Sequence, residues 1–407
     1  MSPTTDRPSV RVLHVLTVPV SLLFFRGQVA YMKGHGFNLT MLSAPGAQLG
    51  RFAEEEGVSV RAVEMHRRIT PLADLVALRK IIAFVAQLRP HIVHSHTPKG
   101  GLLGMIAAAV TGVPVRIYHM RGLPFLAAKG WRRRVLLATE RVACTLAHRV
   151  FSVSESNRAV ALEYGLCPPE KIKVLLGGSS NGVDSARRFN PDSLPPHTRA
   201  KVRARYHLPN EALVVGFIGR IVRDKGIVEL TEAWRIVRER FPDARLLVVG
   251  PFEPHDPLPD GIEARLRADP SVVFAGEDFD TPPLYAAMDV FVLPTYREGL
   301  PNVLLEAAAM RLPVVATRVP GCIDVVRDGE TGTLVPAHSV SALAEALSCY
   351  LADAALRIRH GEAARSRVEQ KFQQEALWSA LESEYQSLLV SRGLSLPVPT
   401  MPPALPN

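Results

Sequence analysis

Short apolar runs alternate with helical segments along almost the whole of this 407-residue chain. Residues 10–17, 37–42 and 91–96 have the composition of strands, and residues 24–35 and 72–88 have helical spacing. A repeated strand-helix-strand order needs crossover connections, which give a parallel sheet with helices on both faces. The sequence therefore predicts an α/β protein built from doubly wound parallel sheets.

The alternation occurs twice, which predicts two domains. We expect a first domain at residues 1–190, a Pro- and charge-rich linker at 191–210 and a second domain at 211–372. A last helix at 373–392, which we expect to cross back onto the first domain, and a Pro-rich tail at 393–407 complete the chain. Because 47% of the residues are hydrophobic, the chain can build two cores of this size.

Two carboxylates, Glu298 and Glu306, lie eight positions apart around a Gly-Leu-Pro-Asn loop. An apolar run at residues 290–294 precedes them, and Pro301 suits the first position of a helix because its missing N–H costs nothing there. The free N–H groups and the positive dipole end of such a helix favour an anion. The arrangement suits a sugar, a diphosphate and a ribose laid end to end, the alternative being a surface loop before a solvated helix.

A second motif places cations beside another strand end. Residues 212–219 are typical of a buried parallel strand, and Arg220, Lys225 and Gly226 follow it. Glycine lets the backbone approach a phosphate closely, and fixed cations neutralise the charge that builds on a departing nucleotide diphosphate. The pattern indicates a diphosphate site, the alternative being a basic loop over a solvated helix.

Together the two motifs resemble the E-x7-E signature and the diphosphate clamp of retaining glycosyltransferases of the GT-B type, in particular the large family 4. The resemblance implies two Rossmann-like domains facing a central cleft. It also implies catalytic roles for Glu298, Arg220 and Lys225, with Glu298 contacting the donor sugar and Glu306 the ribose. The donor-binding residues expected with it are Gly219, Phe274, Gly276, Gly299, Leu300, Pro301, Asn302 and Glu306.

Ligands of open parallel sheets bind beyond the carboxyl ends of the strands, and four loops of the first domain follow strand ends. We expect these loops to carry the acceptor side of the site. The residues expected there are Arg26, His96, Lys99, His119, Arg121 and Asn181. Core packing is an equal alternative for His96 and the favoured one for His94. No Asp-x-Asp motif or acidic partner of the histidines has metal-binding spacing, so we expect no metal.

Three segments, beginning at His96, Arg121 and Ser180, resemble the bacterial members of this family that build capsular, O-antigen and other lipid-linked glycans. The resemblance implies transfer onto a polyprenyl-diphosphate carrier at the cytoplasmic face of the inner membrane. Two departures stand out. Many relatives have a Gly-Gly pair where this chain has the bulky apolar loop 19–25, and many have a histidine where it has Arg121. Arg121 is therefore a candidate for holding the acceptor diphosphate.

Charge is distributed unevenly along the chain. Residues 1–190 hold 25 Lys and Arg against 11 Asp and Glu, a net charge of +14, whereas the remainder has a net charge of −5. The basic half suggests an anionic partner, the alternative being a merely soluble basic surface. We expect no nucleic acid, because no recognised binding motif accompanies the charge. The segment Trp131–Arg134 opens a basic amphipathic helix that suits peripheral contact with an anionic membrane or simple packing on its own sheet.

No apolar run reaches the ~18–20 residues that a spanning helix needs, and the first ten residues hold no signal-peptide core. The four cysteines show neither metal nor disulfide spacing. We therefore expect a cytoplasmic protein, peripheral to the inner membrane where its acceptor is lipid-linked.

Together with these observations, the resemblance implies a retaining, metal-independent hexosyltransferase that needs no cofactor besides its nucleotide-sugar co-substrate, expected to be a UDP-sugar. The expected acceptor is a polyprenyl-diphosphate-linked glycan, and the main alternative is a soluble small molecule. A GT-B-like sugar-nucleotide epimerase and a silent sugar-binding protein are less favoured, because the E-x7-E pattern and all four charged residues are present. An oxidoreductase is disfavoured because no Gly-x-Gly-x-x-Gly follows a strand.

Overall fold

The computed structural model describes residues 9–253 and 256–398. These residues form two compact units. The first contains the chain up to Asn181 together with the segment from Glu375 onward, and the second contains Gly182–Gln374. Of the Pro-rich tail expected at 393–407, residues 399–407 lie outside the described residues. Among the described residues, no helix combines the length and the apolarity needed to cross a membrane.

The first unit is built on a seven-stranded sheet in which every neighbouring pair is parallel. Its strands are β1 (Val10–Val15), β2 (Phe37–Ser43), β3 (Ser59–Ala62), β4 (Ile92–His96), β5 (Val115–Met120), β6 (Arg149–Ser152) and β7 (Ile172–Lys173). They are ordered β3-β2-β1-β4-β5-β6-β7. The order reverses between β1 and β4, which is the point where ligands of doubly wound sheets bind.

Helices cover both faces of this sheet, because each face carries a separate cluster of buried apolar side chains. The helices are α1 (Gln28–Gly34), α2 (Ala47–Glu56), α3 (Pro71–Leu88), α4 (Pro98–Val110), α5 (Gly130–Leu146) and α6 (Glu155–Glu163). The apolar loop after β1 forms a 3-10 helix at Pro19–Phe25. Helix α4 packs between α3 and α5.

The second unit is built on a six-stranded parallel sheet. Its strands are β8 (Val214–Ile218), β9 (Arg245–Val249), β10 (Val272–Gly276), β11 (Val290–Leu293), β12 (Val314–Thr317) and β13 (Gly332–Val335), ordered β10-β9-β8-β11-β12-β13. Its helices are α7 (Thr198–Arg205), α8 (Ile227–Arg240), α9 (Ile262–Ala268), α10 (Pro282–Ala286), α11 (Asn302–Ala309), α12 (Cys322–Val325), α13 (Val340–Ala352) and α14 (Ala354–Lys371). The predicted α/β class of doubly wound parallel sheets is confirmed.

The last helix, α15 (Gln374–Ser391), packs within the first unit. Trp378 Nε1 donates a hydrogen bond to Asn181 Oδ1 at 2.7 Å, and Tyr385 Oη lies 2.6 Å from His94 Nδ1. Both rings are buried, so the helix supplies part of the core on one face of the seven-stranded sheet.

Residues 191–210, which we predicted as a linker, contain regular secondary structure. They contain a 3-10 turn at Pro191–Ser193 and helix α7, both in the second unit. Arg203 is buried, and its guanidinium donates to the carbonyl of Ala212 at 2.8 Å and to Asp289 Oδ2 at 2.8 Å. The charge of Arg203 is therefore satisfied inside the second unit.

Candidate active site

The acidic motif of the second unit lies between β11 and α11. Helix α11 begins at Asn302, one residue later than predicted, because Pro301 serves as its N-cap. The first N–H groups of an α-helix have no acceptor within the helix, so this end offers donors to an anion. A side chain at Gly321 would come within 2.5 Å of the Gly299 carbonyl oxygen, so the loop after β12 can pack on the motif only with glycine there. Leu300 anchors the loop by packing on the core.

The structure brings the two motifs of the second unit together. The ammonium of Lys225 contacts the Glu298 carboxylate, although the two residues are 73 positions apart. Gly226, after the lysine, has φ +73°, and a Cβ there would lie 1.9 Å from the Pro294 carbonyl oxygen. Glycine is therefore required after Lys225, because this turn approaches the end of β11 closely. Glycine adopts such a φ at no steric cost.

Arg220 follows Gly219 at the end of β8, as predicted. Its Nη1 lies 3.5 Å from Glu253 Oε2, and about two fifths of the side chain is exposed. The Arg220 guanidinium lies after the same strand as the Lys225 turn. An anionic ligand that binds it would compete with the Glu253 carboxylate.

Glu306 lies in the second turn of α11 and is partly buried. Its Oε2 accepts a hydrogen bond from Tyr285 Oη at 2.9 Å. Burial raises the pKa of Glu306, while the Tyr285 hydrogen bond and the charge of Arg188 oppose the rise. Arg188 Nη2 also donates to the Phe279 carbonyl at 2.8 Å, which ties it to the loop after β10. Sequence reasoning missed Tyr285 and Arg188, since neither lies in a motif.

Two further donor-side predictions fall at the end of β10. The ring of Phe274 is partly buried and packs 5.7 Å from Phe252, with the Arg267 guanidinium 5.2 Å from its centroid. Gly276 has φ +74° and is exposed, and a Cβ there would meet nothing within 4 Å. The exposed backbone of Gly276 therefore lies at the same strand end as the Phe274 ring.

In the first unit, four buried histidines meet on one face of the sheet. Parallel register pairs His14 of β1 with His94 of β4, and His96 of β4 with His119 of β5. The ring centroids of His94 and His96 are 4.1 Å apart, and those of His94 and His119 are 5.4 Å apart. Burial lowers the pKa of all four rings, that of His14 to about 3, so they are neutral at pH 7. Sequence reasoning missed His14.

Arg121, after β5, organises this cluster. Its Nε donates to His96 Nδ1 at 3.2 Å, which fixes the neutral His96 with its proton on Nε2. His96 Nε2 lies 3.0 Å from His14 Nδ1 and therefore donates to it. The guanidinium carbon lies 5.0 and 5.2 Å from the ring centroids of Phe24 and Phe25. Burial lowers the pKa of Arg121 to about 9, which leaves it charged at pH 7.

The other acceptor-side predictions have different surroundings. Asn181 is buried, and its Nδ2 donates to the Arg26 carbonyl at 3.1 Å, while the Arg26 guanidinium reaches Glu55 at 3.8 Å. The ammonium of Lys99 lies 2.6 Å from Asp74 Oδ1 and bonds the start of α3 to α4. Lys99 is thus already neutralised by a carboxylate, unlike Arg121.

Three of the histidines, His14, His94 and His96, present ring nitrogens within 4.8 Å of one another. Sequence spacing could not reveal this trio, because His14 comes from a different strand. The adjacent Arg121 cation disfavours a divalent metal ion there by charge repulsion. The absence of a metal from the site stays a prediction.

Comparison with known proteins follows the division into two units. Residues 212–353 match the family model "Glycosyl transferases group 1", and residues 23–178 match "Glycosyl transferase 4-like domain". The chain is 36% identical over 380 residues to the capsular polysaccharide biosynthesis glycosyltransferase CapM of Staphylococcus aureus, covering 93% of this chain and 97% of that protein.

Two more distant relatives extend the comparison. A UDP-Gal:alpha-D-GlcNAc-diphosphoundecaprenol alpha-1,3-galactosyltransferase of Escherichia coli is 24% identical, covering 86% of this chain and 90% of that protein. The crystal structure of Anabaena Alr3699/HepE in complex with UDP and glucose superposes with a TM-score of 0.77 at 20% identity, covering 93% of this chain and all of that one. The structural match spans both units and confirms the predicted pairing of two Rossmann-like domains.

Proposed function

This chain belongs to the group 1 glycosyltransferases and has their GT-B fold, and we propose that it transfers a hexose from a UDP-sugar, with retention, onto a polyprenyl-diphosphate-linked glycan. The names of two relatives support this substrate pair. CapM is named for capsular polysaccharide biosynthesis, and the Escherichia coli enzyme for UDP-Gal and a GlcNAc-diphosphoundecaprenol acceptor.

The observation that carries the proposal is the contact of Lys225 with Glu298 beside the N-terminal end of α11. The fold brings together a cation, a carboxylate and the N–H groups of a helix end. These groups complement the diphosphate, the sugar and the ribose of a nucleotide-sugar. The ammonium and the N–H groups suit the diphosphate, whereas Glu298 suits sugar hydroxyls. Glu306, one turn into the helix, suits the ribose.

The reaction that these groups would serve breaks the bond between the anomeric carbon and the leaving phosphate oxygen. The acceptor oxygen bonds to the anomeric carbon on the face that the phosphate leaves, and its proton passes to the departing diphosphate. Negative charge grows on the diphosphate as the bond breaks, so Lys225 and Arg220 act mainly on the transition state. Because these cations and N–H groups can neutralise that charge, we infer that the enzyme works without a metal.

Exposed apolar side chains on the first unit support a membrane-linked acceptor. Leu72 in the first turn of α3 is 83% exposed, and Trp131 in the first turn of α5 is 66% exposed. Both helices pack on α4, so their N-terminal ends lie on the same face of the sheet. Three arginines at 132–134 follow the tryptophan. Apolar and basic groups together suit the surface of an anionic bilayer.

The function is tested by measuring diphosphate release from UDP-, GDP- and ADP-sugars with and without short polyprenyl-diphosphate-sugar acceptors. We expect release from one UDP-sugar that depends on the lipid-linked acceptor, and a product with the donor's anomeric configuration. If diphosphate release requires a soluble acceptor instead, the acceptor is a small molecule and not a lipid-linked glycan. Interconversion of the UDP-sugar without any acceptor would contradict the transferase proposal.

Membrane contact is tested by co-sedimentation with vesicles of phosphatidylglycerol and phosphatidylcholine. Replacing the arginines at 132–134 with serine should reduce binding to anionic vesicles. The matched control replaces Arg51, Arg235 and Arg240, three exposed arginines on α2 and α8, and removes the same charge. Equal binding by the two triple variants would remove the support for a basic membrane-facing segment.

A further inference from the structure

The apolar loop after β1 and Arg121 after β5 touch each other. Phe24 and Phe25 come from this loop, and the Arg121 guanidinium carbon lies 5.0 and 5.2 Å from their ring centroids. A cation over an aromatic face is attracted by the negative charge of the ring face. The loop therefore serves to hold the guanidinium in place.

Arg121 is a charge without a counterion. Within the described residues no carboxylate forms an ion pair with it, and its hydrogen-bond partner is the neutral His96 ring. Its Nη1 is inaccessible to water and has no hydrogen-bond partner, and neither have His94 Nε2 and His119 Nδ1. Unpaired buried donors and charges are costly, and they are usually retained where a ligand satisfies them.

A small pocket opens beside these three unpaired nitrogens. Its cavity of about 10 Å³ has room for the centre of about one water-sized group. Polar lining comes from Gln28, Ser179 and Ser180, and none of the described residues that line it is acidic. Leu377 and Leu381 of α15 form its apolar wall, so the pocket is complete only because the last helix packs on the first unit.

We propose that this pocket, organised by Arg121, binds one non-bridging oxygen of a phosphate group, and that this phosphate belongs to the diphosphate of the lipid-linked acceptor. The identity of the acceptor rests on the proposed function, whereas phosphate binding rests on the pocket alone. One oxygen enters between Arg121 and the histidines, and the remainder of the diphosphate stays outside.

The chemistry of the pocket favours an oxyanion over water or a metal ion. A water molecule would satisfy the hydrogen bonds but would leave the guanidinium charge uncompensated. A divalent cation would add positive charge beside it without any carboxylate ligand. A phosphate oxygen supplies both the missing acceptor and the missing charge, as guanidinium groups commonly require.

The test is calorimetric titration of pyrophosphate, geranyl diphosphate and inorganic phosphate into the full-length protein saturated with UDP, which occupies the donor side. We expect the wild type to bind both diphosphates and Arg121→Gln to bind them on the order of 10- to 100-fold more weakly, the loss expected for charge-assisted hydrogen bonds. Arg121→Lys should retain part of the affinity. Arg51→Gln, an exposed control on α2, should match the wild type, and UDP affinity should be equal in all four proteins.

A second measurement needs no variant. Pyrophosphate added to the UDP-saturated wild type should shift the NMR signals of the buried histidine rings in protein labelled with ¹⁵N-histidine. Unshifted rings at saturating pyrophosphate would overturn the proposal, as would Arg121→Gln with wild-type diphosphate binding and a wild-type KM for the lipid-linked acceptor. Arg121-dependent binding in an enzyme that transfers no sugar to lipid-linked acceptors would uphold the phosphate pocket and reject the proposed acceptor.

Discussion

The ribose contact proposed for Glu306 can be tested by changing one charge while keeping the shape of the side chain. Glu306→Gln retains an oxygen that can accept the Tyr285 hydroxyl, so the 2.9 Å hydrogen bond and the packing of α11 should persist. What the substitution removes is the negative charge that strengthens hydrogen bonds from ribose hydroxyls. The variant should therefore fold normally and bind UDP more weakly.

The size of the effect follows from the partners of the carboxylate. Tyr285 occupies part of Oε2, which leaves Oε1 for the two ribose hydroxyls. Hydrogen bonds to charged groups contribute about 1.5–3 kcal/mol each, roughly twice the neutral value, so losing the charge costs about 1–3 kcal/mol for one or two bonds. The expected loss in UDP affinity is on the order of 10- to 100-fold.

A ligand that lacks the hydroxyls makes the assay specific. Calorimetry should show that the wild type prefers UDP over 2′,3′-dideoxyuridine diphosphate, and that Glu306→Gln has lost most of this preference. Glu298→Gln is the control, because a sugar-contacting residue should leave the ribose preference unchanged. Equal affinity of the wild type for the two nucleotides would refute the reasoning.

The pH dependence has a defined sign. Because burial raises the pKa of Glu306 above that of an ordinary glutamate, the carboxylate loses its charge at a higher pH than usual. The difference in UDP affinity between the wild type and Glu306→Gln should be largest at neutral pH and above. It should shrink as the pH falls through the raised pKa. A difference that grows on acidification would contradict the assignment.

Three further outcomes are expected. Lys225→Ala should lower kcat at least 100-fold while thermal unfolding stays near that of the wild type, since removing one transition-state charge contact typically costs about 2.7–4 kcal/mol; near-normal turnover would reject its role. EDTA should leave the initial rate unchanged, and a rate restored by Mg²⁺ or Mn²⁺ after EDTA would show metal dependence. Burial raises the pKa of Glu140 from 4.5 to about 7. The protonated side chain therefore contributes to the free energy of unfolding below pH 4.5, and this contribution is lost as the pH rises through 7. The loss is on the order of 3 kcal/mol in all. Glu140→Gln should therefore unfold at higher urea than the wild type at pH 8 but not at pH 4.5, and the same midpoint difference at both pH values would disprove this.

The sequence predicted the parts of this protein that depend on local pattern. A strand, a glycine turn and a helix in succession define both the parallel α/β fold and the places where Lys225 and Glu298 stand. Residues within such a unit keep their relation to one another because backbone geometry fixes it. Local pattern did not reveal the helix within residues 191–210, because the charged Arg203 is buried there against carbonyls and Asp289.

The tertiary structure alone decided which distant residues became neighbours. Parallel register brings His14 beside His94 and His96 beside His119, and the returning helix α15 closes the pocket beside them. Tyr285 reaches Glu306 from a helix that belongs to no motif. Composition and spacing carry no information about such contacts, since strand order and the path of the last helix determine them. The sequence by itself thus determined the fold class and the turns in which Lys225 and Glu298 lie, whereas the surroundings of Arg121 were determined by packing.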